Sequence, residues 1–178
     1  MKSLIYELIY IFTNYFVAYI PIWEVRKFFY MILGVKMGKG SRILMKCIIV
    51  CPWRLTIGEN TIINENCVID ARGHIEIGNS VTIAMFSKLI TGGHDIDSDD
   101  FSYNQGKIVI SDNVAIFANC ILLSNTQIEH HVVFAAGSVI KSGTYTEYGV
   151  YGGNPCKYIR KRNCKTSYKQ DGFKPWIR

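Results

Sequence analysis

The sequence carries little charge, and its cysteines form none of the usual short-range pairs. Only 19% of the 178 residues are charged and 49% are hydrophobic. That balance suits one compact folded domain with appendages. None of the six cysteines stands in a C-x-x-C pair. The chain therefore lacks both zinc-type spacing and a disulfide framework, and a reducing cytoplasm is the expected compartment. Basic residues outnumber acidic ones for a net charge of +6, yet no nucleic-acid recognition motif accompanies them, so nucleic acid is not an expected partner. The amino-terminal end has one Lys and no small-residue cleavage site, which argues against a secretory signal.

What the sequence does contain is a six-residue period. From Ile110 the chain reads I-S-D-N-V-A, I-F-A-N-C-I, L-L-S-N-T-Q, I-E-H-H-V-V, F-A-A-G-S-V. A large apolar residue returns at Ile110, Ile116, Leu122, Ile128, Phe134 and Ile140, and four places after each of the first five stands Val114, Cys120, Thr126, Val132 or Ser138. The period fits neither an amphipathic helix nor an alternating strand. It indicates a solenoid of stacked β coils. The same register runs upstream through Met37, Ile43, Ile49, Ile57, Ile63, Ile69, Ile77, Ile83 and Leu89. Three hexads make one coil, so residues 37–142 hold about five coils, roughly 24 Å tall at strand spacing. Cys47, Cys67 and Cys120 fall at the small position and read as buried thiols.

Residues 1–36 form an apolar helical segment. Leu4, Leu8, Phe12, Tyr15, Phe16 and Tyr19 share one helical face; Ser3, Glu7, Tyr10 and Asn14 make a thinner polar stripe; Pro21 interrupts, and Gly34 can end the continuation. Glu7 and Asn14 count against a membrane span. Packing over the end of the prism is the plain expectation. Residues 3–33 are also the candidate for peripheral contact with a membrane. Between the third and fourth coils, residues 95–109 form a long acidic insertion, and a loop of this length leaving a rigid solenoid is often functional. Residues 143–178 form a carboxy-terminal extension. Gly152, Gly153 and Pro155 bend the chain, Lys157 to Arg162 are expected as a short basic helix, and a tail with Tyr168, Phe173, Pro175 and Trp176 is expected to dock on a neighbour.

The repeat, with A-A-G-S-V-I at Ala135 to Ile140 and G-N-P-C-K-Y-I-R at Gly153 to Arg160, resembles the hexapeptide-repeat acetyltransferases. I-D-A-R-G at Ile69 to Gly73, G-H-D-I-D-S-D-D-F at Gly93 to Phe101 and the aromatic tail are similar to the sugar O-acetyltransferases of bacterial capsule, exopolysaccharide and O-antigen gene clusters, within the maltose and galactoside acetyltransferase superfamily. The resemblance implies a mainly β fold: a left-handed parallel β-helix, assembled as a homotrimer with active sites between prisms. It also implies transfer from acetyl-CoA to a sugar or glycan hydroxyl, in the cytoplasm or on the inner face of the membrane, with no metal.

The resemblance assigns His94 as general base, and an imidazole titrates near neutrality, as that role needs. Asp95 is the candidate to orient it. Asn66 and Asp70 are candidates for binding acceptor hydroxyls, with corner capping as the plain alternative. For acetyl-CoA the implied residues are Ala118, Ala136 and Ser142 along the pantetheine arm, with Lys141, Lys157 and Arg160 for the phosphates. His74, one repeat before His94, reads as a corner residue, and His130 and His131 as surface residues. The chain departs from the family pattern at Ala115 and Phe117, where Trp and Gly are common, and at Ser124, Asn125 and Thr126. The rival readings are a non-catalytic trimeric scaffold, an N-acetyltransferase for an amino nucleotide sugar, and a β-helical carbonic anhydrase. The last needs three converging histidines.

Overall fold

The computed structural model describes residues 2–163 and Tyr168, with side chains from Leu4 onward. The hexads build a three-sided parallel prism. Its first side stacks Lys36–Met37, Leu55–Ile57, Ile75–Ile77, Ile108–Ile110, Thr126–Ile128 and Gly143–Tyr145. The second stacks Arg42–Ile43, Ile62–Ile63, Thr82–Ile83, Ala115–Ile116, Val133–Phe134 and Gly149–Gly152, and the third Ile48–Val50, Val68–Asp70, Lys88–Ile90, Ile121–Leu122 and Val139–Ile140. Residues one coil apart stand in register, so Ile43, Ile63, Ile83, Ile116 and Phe134 pile up along the second side, all fully buried.

The small hexad positions close the corners. Cys47, Cys67 and Cys120 are buried, and their thiols point at the carbonyls of Asn64, Ala84 and Ala135 on the following coil. Corner residues also adopt the left-handed backbone region, which Asn tolerates better than other side chains except Gly. Asn60, Asn66, Asn113, Asn119 and Asn125 all have φ between 53° and 60°. Asn125 thus has a structural reason to stand where the family often differs.

Two expectations for the carboxy-terminal part are corrected. The prism has a sixth, incomplete coil, because Gly143–Tyr145 and Gly149–Gly152 continue the first and second sides. Its inward residues are tyrosines instead of aliphatics. Tyr145 and Tyr151 pack edge-on to each other, and both contact Phe134 with ring centroids 5.1 and 5.7 Å away, plugging that end. The basic segment is not a helix. Lys157–Lys161 is a strand antiparallel to Gly149–Gly152, and it covers an edge that would otherwise be open. Of the expected docking tail, Phe173, Pro175 and Trp176 lie outside the described residues. Tyr168 folds back on its own chain, its carbonyl accepting from Asn113 Nδ2 and its ring lying under Arg162.

The opposite end is closed by helix α1 (Lys2–Ile11), one wide turn (Phe12–Phe16), one tight turn (Val17–Tyr19) and helix α2 (Trp23–Ile32). The surface that docks is the reverse of what the sequence pattern suggests. Thr13, Asn14, Val17 and Ala18 are buried, whereas Leu8, Tyr15, Phe16, Tyr19, Phe28 and Ile32 are each more than half exposed. The first coil presents unpaired backbone groups, so the element that covers it must bring polar partners. Asn14 does so: Oδ1 accepts from Ile49 N–H at 2.7 Å and Nδ2 donates to Ile49 C=O at 3.1 Å. Lys46 N–H donates to the Ala18 carbonyl beside it. Asn14→Leu is therefore expected to lower unfolding stability by about 2 kcal/mol, since it leaves both Ile49 groups buried and unpaired. Denaturant titration checks this, and an unchanged midpoint would remove Asn14 as the edge cap. Among the described residues no helix is long and apolar enough to cross a membrane.

Candidate active site

The acidic insertion is a β-hairpin. Gly92–His94 pairs antiparallel with Tyr103–Gln105, and Ile108 and Val109 already belong to the next coil. Leaving the prism after Thr91 carries His94 away from the coil register, so His74 does not lie beneath it. His74 instead sits at a corner with φ 72°, its carbonyl accepting from Ile108 N–H.

His94 is exposed but held on three sides. Its Nδ1 lies 2.8 Å from the Phe101 carbonyl oxygen. Its ring stacks on Phe101 with centroids 4.5 Å apart and 6° between planes, and Tyr103 meets it edge-on at 5.7 Å. A carbonyl only accepts, so Nδ1 must carry the proton and Nε2 presents its lone pair outward. Asp95 does not supply this contact. Its carboxylate accepts from Asp97 N–H at 3.0 Å and shapes the hairpin turn, while Ser98 and Ser102 hydroxyls tie the turn's two arms together. Phe101 and Tyr103 were missed by sequence reasoning. Their only signal was the position of the aromatics directly after the acidic turn, which the hairpin register places opposite His94.

Asp70 and Asn66 lie apart from one another in role. Asp70 is buried and gripped by Arg72, whose Nε and NH2 each donate to one carboxylate oxygen at 2.8 Å. Burial raises its pKa, but the Arg72 side-chain and backbone bonds more than offset this and hold it below the usual carboxylate range. Arg72 in turn lies over the Tyr103 ring, 5.6 Å from its centroid. The pair thus braces the hairpin from beneath. Asn66 is a half-buried corner residue with φ 60°.

A groove of about 570 Å³ runs along the second side, lined by Ala115, Phe117, Ala118, Ala135, Ala136 and Arg160, among others. It joins Ala118, Ala136 and Arg160 from the expected donor set with Ala115 and Phe117, two of the positions that depart from the family pattern. Arg162, also on its wall, was missed; its guanidinium donates to the carbonyls of Asn113 and His131. Lys141, Ser142 and Lys157 are exposed and do not line it. Small alanines leave the backbone approachable, and guanidiniums suit phosphate, so the groove fits a phosphorylated thioester carrier. His94 is not among its walls. Contrary to its reading as a surface residue, His131 is buried and stacked on Tyr148 at 4.5 Å. Among the described residues no three His, Cys, Asp or Glu side chains converge on a metal position.

Comparison with known proteins decides the family. The chain is 33% identical over 138 residues to a protein assigned as the colanic acid biosynthesis acetyltransferase WcaF of Escherichia coli, covering 77% of this chain and 75% of that one. The chain belongs to the hexapeptide-repeat acetyltransferases. A maltose O-acetyltransferase from Clostridium difficile superposes with a TM-score of 0.82 at 26% identity, over 92% of this chain and 90% of that one. The hexapeptide-repeat acetyltransferase VCA0836 of Vibrio cholerae, solved with acetyl-CoA, shares the fold with a TM-score of 0.77 at 23% identity, over 89% and 85%. No family profile matches the chain. As a member of this family the protein is an acyltransferase.

The hairpin gives one direct test within that family. Asp95→Asn is expected to keep at least half of the native turnover, because the amide oxygen can still accept from Asp97 N–H. A loss of a hundredfold or more would instead make Asp95 the orienting carboxylate of His94.

Proposed function

We propose that this chain is an acetyl-CoA-dependent O-acetyltransferase that acts on a sugar hydroxyl in the making of a bacterial surface polysaccharide. The observation that supports this most is the state of His94. The Phe101 carbonyl fixes the Nδ1–H tautomer, and Nε2 is left to take the proton of an attacking hydroxyl. As the acceptor oxygen bonds to the thioester carbon, its proton passes to His94 Nε2. The C–S bond then breaks, the proton can pass on to sulfur, and acetyl ester and free CoA leave. No protein nucleophile is needed.

The second-side groove is the proposed donor site, with Arg160 at the phosphate end. Arg160→Ala is expected to raise KM for acetyl-CoA by about tenfold while changing kcat little, in line with the loss of a charge-assisted contact. An unchanged KM would move the phosphates elsewhere, to Lys141 or Lys157. Phe117, half exposed on the groove floor, is proposed to narrow the path where the family often has Gly.

His94 and the groove occupy different parts of one prism, so the reading also requires a homotrimer in which the groove of one subunit meets the hairpin of the next. The exposed apolar face of α1 and α2 supports a peripheral place on the cytoplasmic face of a membrane, where acetyl-CoA and sugar precursors meet. The test of the reaction type is the product's linkage. An acetyl group released from the isolated product by mild alkali is an ester; one that survives is an amide and would replace this reading with N-acetylation.

A further inference from the structure

A further property of the acceptor follows from the amino-terminal cap, resting on the proposal that His94 is the base. Where α1 crosses the corner after Ile48–Val50, it does not close down on the prism. A cavity of about 440 Å³ remains between them, walled by Tyr6, Ile9 and Tyr10 on the helix and by Pro52 and Trp53 on the corner. A second cavity of about 370 Å³ shares Tyr6, Ile9 and Trp53 with the first and reaches Ile5. Together they form a trough whose outer end lies beside the exposed apolar side chains of α1.

Two charged side chains, Arg72 and Glu7, also line the first cavity. Asp70 takes two nitrogens of the Arg72 guanidinium, yet the Arg72 side chain keeps 46% of its exposure. Arg54 joins the same corner, donating to the Arg72 carbonyl. Arg72 lies over Tyr103, and Tyr103 lies against His94. The trough is thus mostly apolar, and where Arg72 lines it, a contact through Tyr103 links it to the proposed base.

We infer that the trough holds the aliphatic chain of the acceptor, and that the acceptor is an amphiphilic saccharide whose sugar is presented to His94 past Arg72. Size and lining suit this occupant, since ligand pockets are mostly apolar with a few polar groups at one end. A free sugar would leave the trough without a function. An alkyl chain gains roughly fourfold in affinity for each methylene it buries.

The test is equilibrium binding, which does not depend on turnover. Monomeric dodecyl maltoside, below its micelle concentration, is compared with maltose by calorimetry. The expected result is at least tenfold tighter binding of dodecyl maltoside, with that advantage reduced about tenfold in Tyr6→Asp. Tyr6 is half exposed, so this charge enters the trough without disturbing a packed core. Tyr15→Asp, on the outward face at 70% exposure, is expected to bind as the native chain does. Equal binding of the two probes overturns the inference. So does an equal loss in Tyr15→Asp, which would place the alkyl chain on the helix surface. Sugar-dependent release of CoA is measured separately on the same samples. Its absence, with the Tyr6→Asp effect intact, would remove the proposed reaction and leave the trough standing.

Discussion

His94→Ala is expected to lower acetyl transfer by about 10²–10⁴-fold, the usual contribution of a positioned general base, with KM for acetyl-CoA nearly unchanged because the imidazole acts on the acceptor hydroxyl and not on the phosphates or pantetheine arm of the donor. The loss should fall on kcat, since the base acts as the acceptor oxygen attacks. A second variant separates chemistry from support. Phe101→Gly keeps the carbonyl that holds Nδ1–H and removes only the stacked ring, an interaction worth about 0.5–1.5 kcal/mol. It should cost about two- to tenfold, far less than His94→Ala. Phe101 also sits at φ 49°, a region glycine enters freely, so this replacement does not strain the turn. Steady-state kinetics on the two variants give the ordering. Equal losses would mean that the whole hairpin, and not the imidazole, is what the reaction needs.

Arg26→Ala is expected to lower the unfolding free energy by about 3–5 kcal/mol. Arg26 is fully buried where the amino-terminal cap meets the first coil. Its NH1 donates to the carbonyls of Ile20 at 2.5 Å and Pro21 at 3.1 Å, and its NH2 to that of Ile43 at 3.3 Å. The guanidinium also faces the Trp23 ring at 5.5 Å. Burial pulls its pKa down, with Tyr30 and Cys47 acting against the shift. Removing the side chain strands three carbonyls and opens a cavity under the break at Pro21. Each kcal/mol corresponds to about 2–4 °C at this chain length, so the melting temperature should fall by roughly 6–20 °C. Arg26→Lys should fall between the two, because it keeps the charge and loses the fork. A melting temperature within two degrees of native would show that the cap is held by Asn14 and apolar packing alone.

The parts of the fold that were legible in the sequence are those set by local steric rules. Ile110 to Ile140 announced the prism because one interior aliphatic and one small corner residue recur in every hexad. The sixth coil was hidden because Tyr145 and Tyr151 take the interior places of aliphatics. They do so for a reason that only three dimensions supply: an end needs a plug, and interior coils do not. Lys157–Lys161 carried no helical or strand signal of its own; the open edge of Gly149–Gly152 decides its state. The cap lies over the end of the prism as expected, but which of its faces docks was hidden for the same reason. Amphipathic patterns are interpreted with the apolar face inward, but a solenoid end exposes backbone groups, and Asn14 meets them while Leu8 and Tyr15 face outward. At the candidate site, His94 was named from its motif. The group that holds its ring in the structure is the Phe101 backbone carbonyl, which no side-chain pattern can display, so the neighbouring carboxylate of Asp95 was named as its partner instead.

The most direct test of the central claim is release of free CoA from acetyl-CoA across a panel of sugar acceptors, with the native chain and His94→Ala side by side. The account predicts acceptor-dependent release by the native chain that collapses in the variant. Failure of the native chain to bind acetyl-CoA or to release CoA with any acceptor would contradict it and favour a prism that serves as a scaffold.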